Sequence, residues 1–365
     1  MAGLHATQQI ERLTPLTDAL ASIERLVTAV APRRVPCRDA LSRICASGLT
    51  GATAHPAAAI ALRDGMAVRA EATLDASSYA PVAIVATPVE VGDPLPAGAD
   101  AVVPADALEW RGATAHVVAP LAPGDGVLPA GGDIAAGEPL RDAARRLRAV
   151  DLAAFGILGL TDIDVRVPRV LIAAASAGCD GVIAAIVGLL ARAIEAAGGT
   201  VSRDGAFDAS GEDALILVGG SGMGRRDQTL LELARRGQVA FHGVGLAPGE
   251  TAAFGLIERR PVLVVPGRLD AALAVWLTLG RCMLAKLAGA KENEPSETGV
   301  LMHKITSTLG LAELVPMMRH GGRLMPLASG YLTLQSLARA EGYVLVSADS
   351  EGFPAGATVE MRPLP

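Results

Sequence analysis

The chain has 365 residues, enough for two or three domains of ordinary size with a substantial buried core. Hydrophobic residues make up 51% and aromatics only 3%, so no aromatic platform exists for stacking single-stranded nucleic acid. A formal net charge of −6 with no basic block argues against nucleic acid of any kind.

Residues 1–12 carry charge early and lack the apolar core of a signal segment. Residues 16–50 read as helical: Thr17-Asp18 can cap a first helix through Val27, Pro32 and Pro36 break it, and a second helix is expected from Cys37. From 52 to 134 the texture changes to short β-prone runs (Val82 to Val85, Ala101 to Val103, His116 to Val118) between Gly/Pro/Asp turns. Residues 142–158 read as helical again, with Leu147, Val150, Leu152 and Ile157 available for a core. The pattern predicts a helical domain split between 1–51 and 135–167, with a small β domain inserted at 52–134.

Residues 168–290 alternate strand and helix. Strands are expected at 170–172, 215–218 and 262–265. One helix is expected at 182–197, closed by Gly198-Gly199, and another at 269–287. That is an α/β layout with a mostly parallel sheet. The longest apolar run, 181–191, is too short to cross a bilayer, so no membrane is expected. A polar linker at 291–298 leads to a small C-terminal β domain over 295–365. Cys37, Cys45, Cys179 and Cys282 form no C-x-x-C pair and the six histidines are scattered, which predicts buried free thiols and a cytoplasmic setting.

The stretch with most chemistry in it runs Val218-Gly219-Gly220-Ser221-Gly222-Met223-Gly224-Arg225-Arg226-Asp227. It follows an apolar strand and opens a helix, the place where an α/β protein holds an anion on backbone N–H groups and the helix dipole. The spacing is neither the dinucleotide fingerprint nor a P-loop. The alternative is a turn that needs glycines for its backbone angles alone.

The order of parts resembles the molybdopterin molybdenumtransferase family (MoeA and the E domain of gephyrin) over nearly the whole chain. Asp64-Gly65-Met66-Ala67-Val68 is similar to the family's M-D-G-Y-A-V, and Gly92 to Val103 to its G-x-P-L-P-x-G-A-D-x-V-V. Gly131-Gly132-Asp133-Ile134 stands where the family has G-E-D-I. Pro248-Gly249 with Phe254-Gly255 resembles K-P-G-K-P-x-x-F-G, and Val265-Pro266-Gly267 resembles L-P-G-N-P. Segments from Ser329-Gly330 to Gly356 resemble the family's last domain. The glycine loop is closer still to the T-G-G-T-G-x-x-x-R-D loop of the molybdopterin adenylyltransferases (MogA and the G domain of gephyrin).

The resemblance implies a MogA-like three-layer α/β domain that binds molybdopterin or adenylylated molybdopterin. It also implies molybdate as substrate, Mg²⁺ as cofactor, a homodimer, and a molybdoenzyme or cofactor-pathway protein as partner. The implied ligand-binding residues are Gly219, Gly220, Ser221, Gly222, Gly224, Arg225, Arg226, Ser176, Pro248, Gly249, Gly267 and Arg268. Asp227 and Asp133 are the implied catalytic acids, with Asp227 also the Mg²⁺ ligand. For Asp227 a helix N-cap is the alternative, and for the arginines a solvated rim. Asp64 reads as a turn residue, and Cys179 and His242 as structural.

Several family positions are replaced. D-N-S becomes Ala59-Ile60-Ala61, Arg63 stands for a Met, and the two lysines of K-P-G-K become Ala247 and Glu250. A carboxylate about 6 Å from a bound anion opposes it by about 3 kcal/mol at an effective dielectric of about 20. Two readings therefore stand: an enzyme that inserts molybdate with Mg-dependent loss of the nucleotide, or a catalytically degenerate binding or scaffold protein.

Overall fold

A computed structural model describes residues 8–175, 181–203, 211–224, 227–291 and 295–365. The chain divides into two compact units: Met1–Ser47, Ala143–Ala153 and Thr161–Pro365 form one, Gly48–Asp142 and Ala154–Leu160 the other.

At the centre of the first unit is a six-stranded sheet in the order Thr200–Ser202, Arg169–Ala174, Ala214–Val218, Arg260–Val265, Ala253–Ile257, Gln238–His242. The first four strands are parallel and the last two antiparallel. A parallel strand is covered on both faces and so reads as an unbroken apolar run, and its residues alternate between two cores. Val170, Ile172, Ile216, Val218, Leu263 and Val265 face one core. Leu171, Leu215, Leu217, Val262 and Val264 face the other. The first core takes helices Leu16–Leu26 and Gly181–Ala196 and the long helix Leu269–Ala288; the second takes Leu230 and Leu233 of helix Thr229–Arg236.

Leu269–Ala288, rather than the shorter 181–191 run, is long and apolar enough to cross a membrane. Here it is core: Ala272 to Leu277, Leu279, Met283, Leu284 and Leu287 all pack into the first cluster.

A second, seven-stranded sheet joins Thr14–Pro15 and Val244–Ala247 to the C-terminal strands Ala312–His320, Arg323–Pro326, Gly342–Val346, Thr358–Pro363 and Glu297–Val300. The region around residue 40 departs from expectation. In place of a second helix from Cys37 there is one 3₁₀ turn, Cys37–Asp39, between strands Arg33–Pro36 and Ile44–Cys45, both paired with Asp162–Arg166.

The helix expected over 142–158 is confined to Ala149–Ile157. The backbone before it is spent on segment 42–45: Cys45 N–H donates to Arg145 O, and Leu147 N–H to Arg43 O. Asp151 then starts the helix by accepting from Arg148 N–H at 2.8 Å, half of a capping box. Leu147 and Phe155 are buried, while Val150 and Ile157 are exposed, against the expected core assignment.

The second unit is built from four small antiparallel sheets. Gly65 lets strand Gly65–Val68 lie against Ala101–Pro104, since a Cβ there would overlap Val103 O. Arg63 donates to Val102 O and pairs with Asp125 at 2.9 Å, so this departure from the family pattern pins a turn.

Candidate functional site

The glycine loop leaves the end of strand Ala214–Val218 with Gly219 and Gly220 at φ 92° and 67°, the left-handed region open to glycine. Gly219 N–H donates to Val265 O at 2.8 Å and Ala175 N–H to Val218 O at 2.9 Å, so three parallel strands deliver their C-terminal ends to one place. The backbones are close there: a Cβ on Gly220 would overlap Thr229 Oγ1, and one on Gly267 would lie 3.2 Å from Ile183 Cδ1. Open parallel sheets bind ligands at this edge.

The carbonyl groups at the start of the loop are all held by side chains. Thr229 Oγ1 donates to Gly219 O at 3.3 Å. Gln8 Nε2 donates to Gly220 O at 2.8 Å and also to Gly222 O. His242 Nε2, protonated because a carbonyl only accepts, donates to Ser221 O at 2.9 Å. By contrast, the N–H groups of Gly220, Ser221, Gly222 and Met223 have no acceptor among the described residues. In a trans peptide the C=O and N–H point in opposite directions. The N–H groups of Ser221 and Met223 therefore turn away from Gln8, and that of Gly222 away from His242. Four consecutive amides ahead of a helix are thus left without an acceptor among the described residues, a donor set of the kind that receives anions.

The remaining predicted residues divide. Ser221 is buried, with its hydroxyl 3.0 Å from Thr251 Oγ1, so its backbone and not its side chain is available to a ligand. Asp227 does not cap the helix: it accepts from Gly224 N–H at 2.8 Å and closes the loop, while helix Thr229–Arg236 has Gln228 at its N-cap without a side-chain bond. Gln8 Oε1 satisfies the first-turn N–H of Leu230 at 3.1 Å instead. His242, read from the sequence as structural, holds the loop backbone through Ser221 O.

Arg268 is exposed, but its guanidinium grips buried Asp270 through two bonds, Nε to Oδ1 at 3.2 Å and Nη2 to Oδ2 at 2.6 Å, and lies 5.2 Å from the Tyr331 ring centre. The Asp270 hydrogen bond, with added attraction from Asp270, Glu250 and Tyr331, holds it more firmly protonated than usual. Glu250 thus has a cation in its field, and its own carboxylate accepts from Gly249 N–H at 3.0 Å. Pro248 and Gly249 are buried, and a Cβ on Gly249 would lie 3.0 Å from Val275 Cγ2.

Asp133 belongs to the second unit, where its carboxylate lies 2.9 Å from His55 Nδ1. Asp64 accepts from Val91 N–H at 2.8 Å, as a turn residue does. Ser176, Cys179, Arg225 and Arg226 lie outside the described residues.

The described residues contain no group of three or more His, Cys, Asp or Glu able to hold a metal. Mg²⁺ needs fewer protein ligands than that, since phosphate oxygens and water complete its shell. Asp227 fits this mode: Oδ2 takes Gly224 N–H and Oδ1 has no partner among the described residues. Gln8, Thr229, Thr251 and Tyr331 escaped the sequence reading. Only Thr229 sat within the loop's own helix, where a local signal existed.

Comparison with known proteins bears on the family and the fold. The profile for the MoeA N-terminal region (domain I and II) matches residues 14–159, and that described as "Probable molybdopterin binding domain" matches 180–286. A protein of Methanocaldococcus jannaschii named for molybdopterin biosynthesis is 27% identical over 154 residues, 42% of this chain and 36% of that protein. The match thus spans about a third of that relative's length. Molybdopterin molybdenumtransferase 2 of Mycobacterium tuberculosis is 24% identical over 338 residues, covering 79% of this chain and 83% of the relative. Among solved structures, the MoeA protein of Pyrococcus horikoshii superimposes with a TM-score of 0.77 at 23% identity, covering 96% of this chain and all of that one. A Pyrococcus furiosus molybdenum cofactor biosynthesis protein gives 0.62 at 20% identity, covering 96% of this chain and 99% of that one. With both domain profiles in order along one chain and the whole fold shared, this protein belongs to the MoeA family.

Proposed function

We propose that this chain acts in molybdenum-cofactor biosynthesis by holding the phosphate or pyrophosphate of molybdopterin, or of its adenylylated form, on the amides of residues 220–223. The observation that carries the reading is the division of the loop, with its carbonyls taken by side chains and four successive N–H groups open. Asp227 would hold Mg²⁺ jointly with the ligand's phosphate oxygens. When bound, the ion would neutralise charge on the phosphates and favour departure of the nucleotide. Gly267 supports the reading by leaving room beside Gly219. The proposal carries with it a cytoplasmic location and the homodimer that the family resemblance implies.

Isothermal calorimetry with inorganic pyrophosphate tests the loop, and mass spectrometry of protein purified natively from a molybdopterin-producing host tests the ligand. A co-purifying pterin phosphate and saturable pyrophosphate binding are expected. Absence of both overturns the proposal.

Glu250 and Ala247 favour a second reading for the chemistry alone: a carrier that binds the pterin and does not insert molybdate. Arg268, the described cation in the field of Glu250, is already engaged by Asp270.

A further inference from the structure

We infer that Gln8 is the positioning residue that sets the donor face of the glycine loop. The inference rests on the anion-binding reading above and adds to it a residue more than 200 positions away in sequence, outside both the loop and its helix.

Gln8 is 4% exposed. Its carboxamide does three things at once: Nε2 donates to Gly220 O and Gly222 O, and Oε1 accepts from Leu230 N–H. Only a side chain with both donors and an acceptor can do this, and the assignment is not reversible, because a turned amide would set Oε1 against two carbonyl oxygens. The loop has reason to need such a clamp. Glycine adopts left- and right-handed backbone angles with similar ease, so the peptides after Gly220 and Gly222 have little internal reason to keep one orientation. A flip of either would turn a carbonyl oxygen toward the crevice and take away a donor. Tying Gly220, Gly222 and the first turn of helix Thr229–Arg236 to one amide removes that freedom before any ligand arrives. Lower ordering cost on binding is the expected consequence.

The experiment uses the full chain with Gln8→Met and Gln8→Glu, inorganic pyrophosphate as the calorimetric probe, and thermal melts of each protein. Gln8→Glu keeps an acceptor for Leu230 N–H and loses both donors, so it separates helix capping from loop positioning. Both variants are expected to bind pyrophosphate about tenfold to a hundredfold more weakly. Gln8→Met removes the donors without adding a charge, so a loss shared by both variants is not charge repulsion. Wild-type affinity in a folded Gln8→Met variant overturns the inference and leaves the loop reading intact. Failure of the wild type itself to bind pyrophosphate overturns the loop reading and this inference with it.

Hydrogen exchange of the wild-type carboxamide gives a reading that needs no variant. The Gln8 side-chain amide is expected to exchange far more slowly than that of exposed Gln9, and equal rates overturn the assignment.

Discussion

Arg268 is a case in which charge alone misleads. Its position after Gly267 and its sign suggest a phosphate ligand, yet its two short bonds go to a carboxylate whose side chain is only 4% exposed. Removing the arginine strands that carboxylate, leaving Leu332 N–H as a long 3.4 Å partner. Arg268→Ala is therefore expected to lower stability by about 3 kcal/mol in urea unfolding, and Asp270→Asn by less, because the amide it leaves is neutral. Equal effects would show that the pair is not held as described. Cys282 gives a residue-scale prediction of a different kind. Burial first, with Glu24 adding and Lys286 opposing, pushes its thiol up to about 11. The folded pKa is raised, so this group's contribution is fully present below pH 9 and is lost as pH rises from about 9 towards 11. Thiol titration with a chromogenic disulfide should find Cys282 slow at pH 8, and a rate equal to that of a free thiol would contradict its burial.

At the scale of elements, the helix Leu269–Ala288 carries the most information about what sequence patterns reveal. Its apolar content was legible, and its middle turn was not: Trp276–Gly280 is a π turn. A Cβ on Gly280 would sit 2.5 Å from Trp276 Cε3, so the indole lies directly on this glycine. Gly280→Ala should cost about 1–3 kcal/mol by overpacking, although alanine is the better helix former; a stabilised variant would show that the turn relaxes freely. The strands Arg169–Ala174, Ala214–Val218 and Arg260–Val265 were readable because residues buried on both faces leave an uninterrupted apolar run. The glycine loop was readable because strand, glycines and helix are contiguous. What failed to show was non-local. The backbone of 142–148 has a helical composition but pairs with 42–45, and Gln8 lies too far away in sequence for any local pattern to announce it. Glu250 is a carboxylate in a family lysine position, but the cation that shares its surroundings comes from another loop, after Gly267.

For the whole molecule, the question is whether a MoeA fold with this loop still inserts molybdate. The fold is shared over 96% of the chain, and the proposed anion site rests on the open amides at 220–223. Against this, Ala247 and Glu250 take away two cations relative to the resembling K-P-G-K segment and add one anion. Each lost charge-assisted contact is worth about 1.5–3 kcal/mol, so two of them together predict a deficit of several orders of magnitude in affinity or rate. Arg268 offsets part of the added charge, but it does so while bound to Asp270, so it supplies a field more than a free donor. The expected outcome is that the chain fails to restore nitrate reductase activity in a strain lacking its molybdenumtransferase at physiological molybdate. It should improve with raised molybdate, because weak oxyanion binding is overcome by mass action. The Ala247→Lys/Glu250→Lys variant should recover part of the activity, with Arg268 then facing a like charge. Full rescue by the unmodified chain at low molybdate would show that the cations needed for the oxyanion come from elsewhere in the protein, and that the substitutions at 247 and 250 have been absorbed without loss.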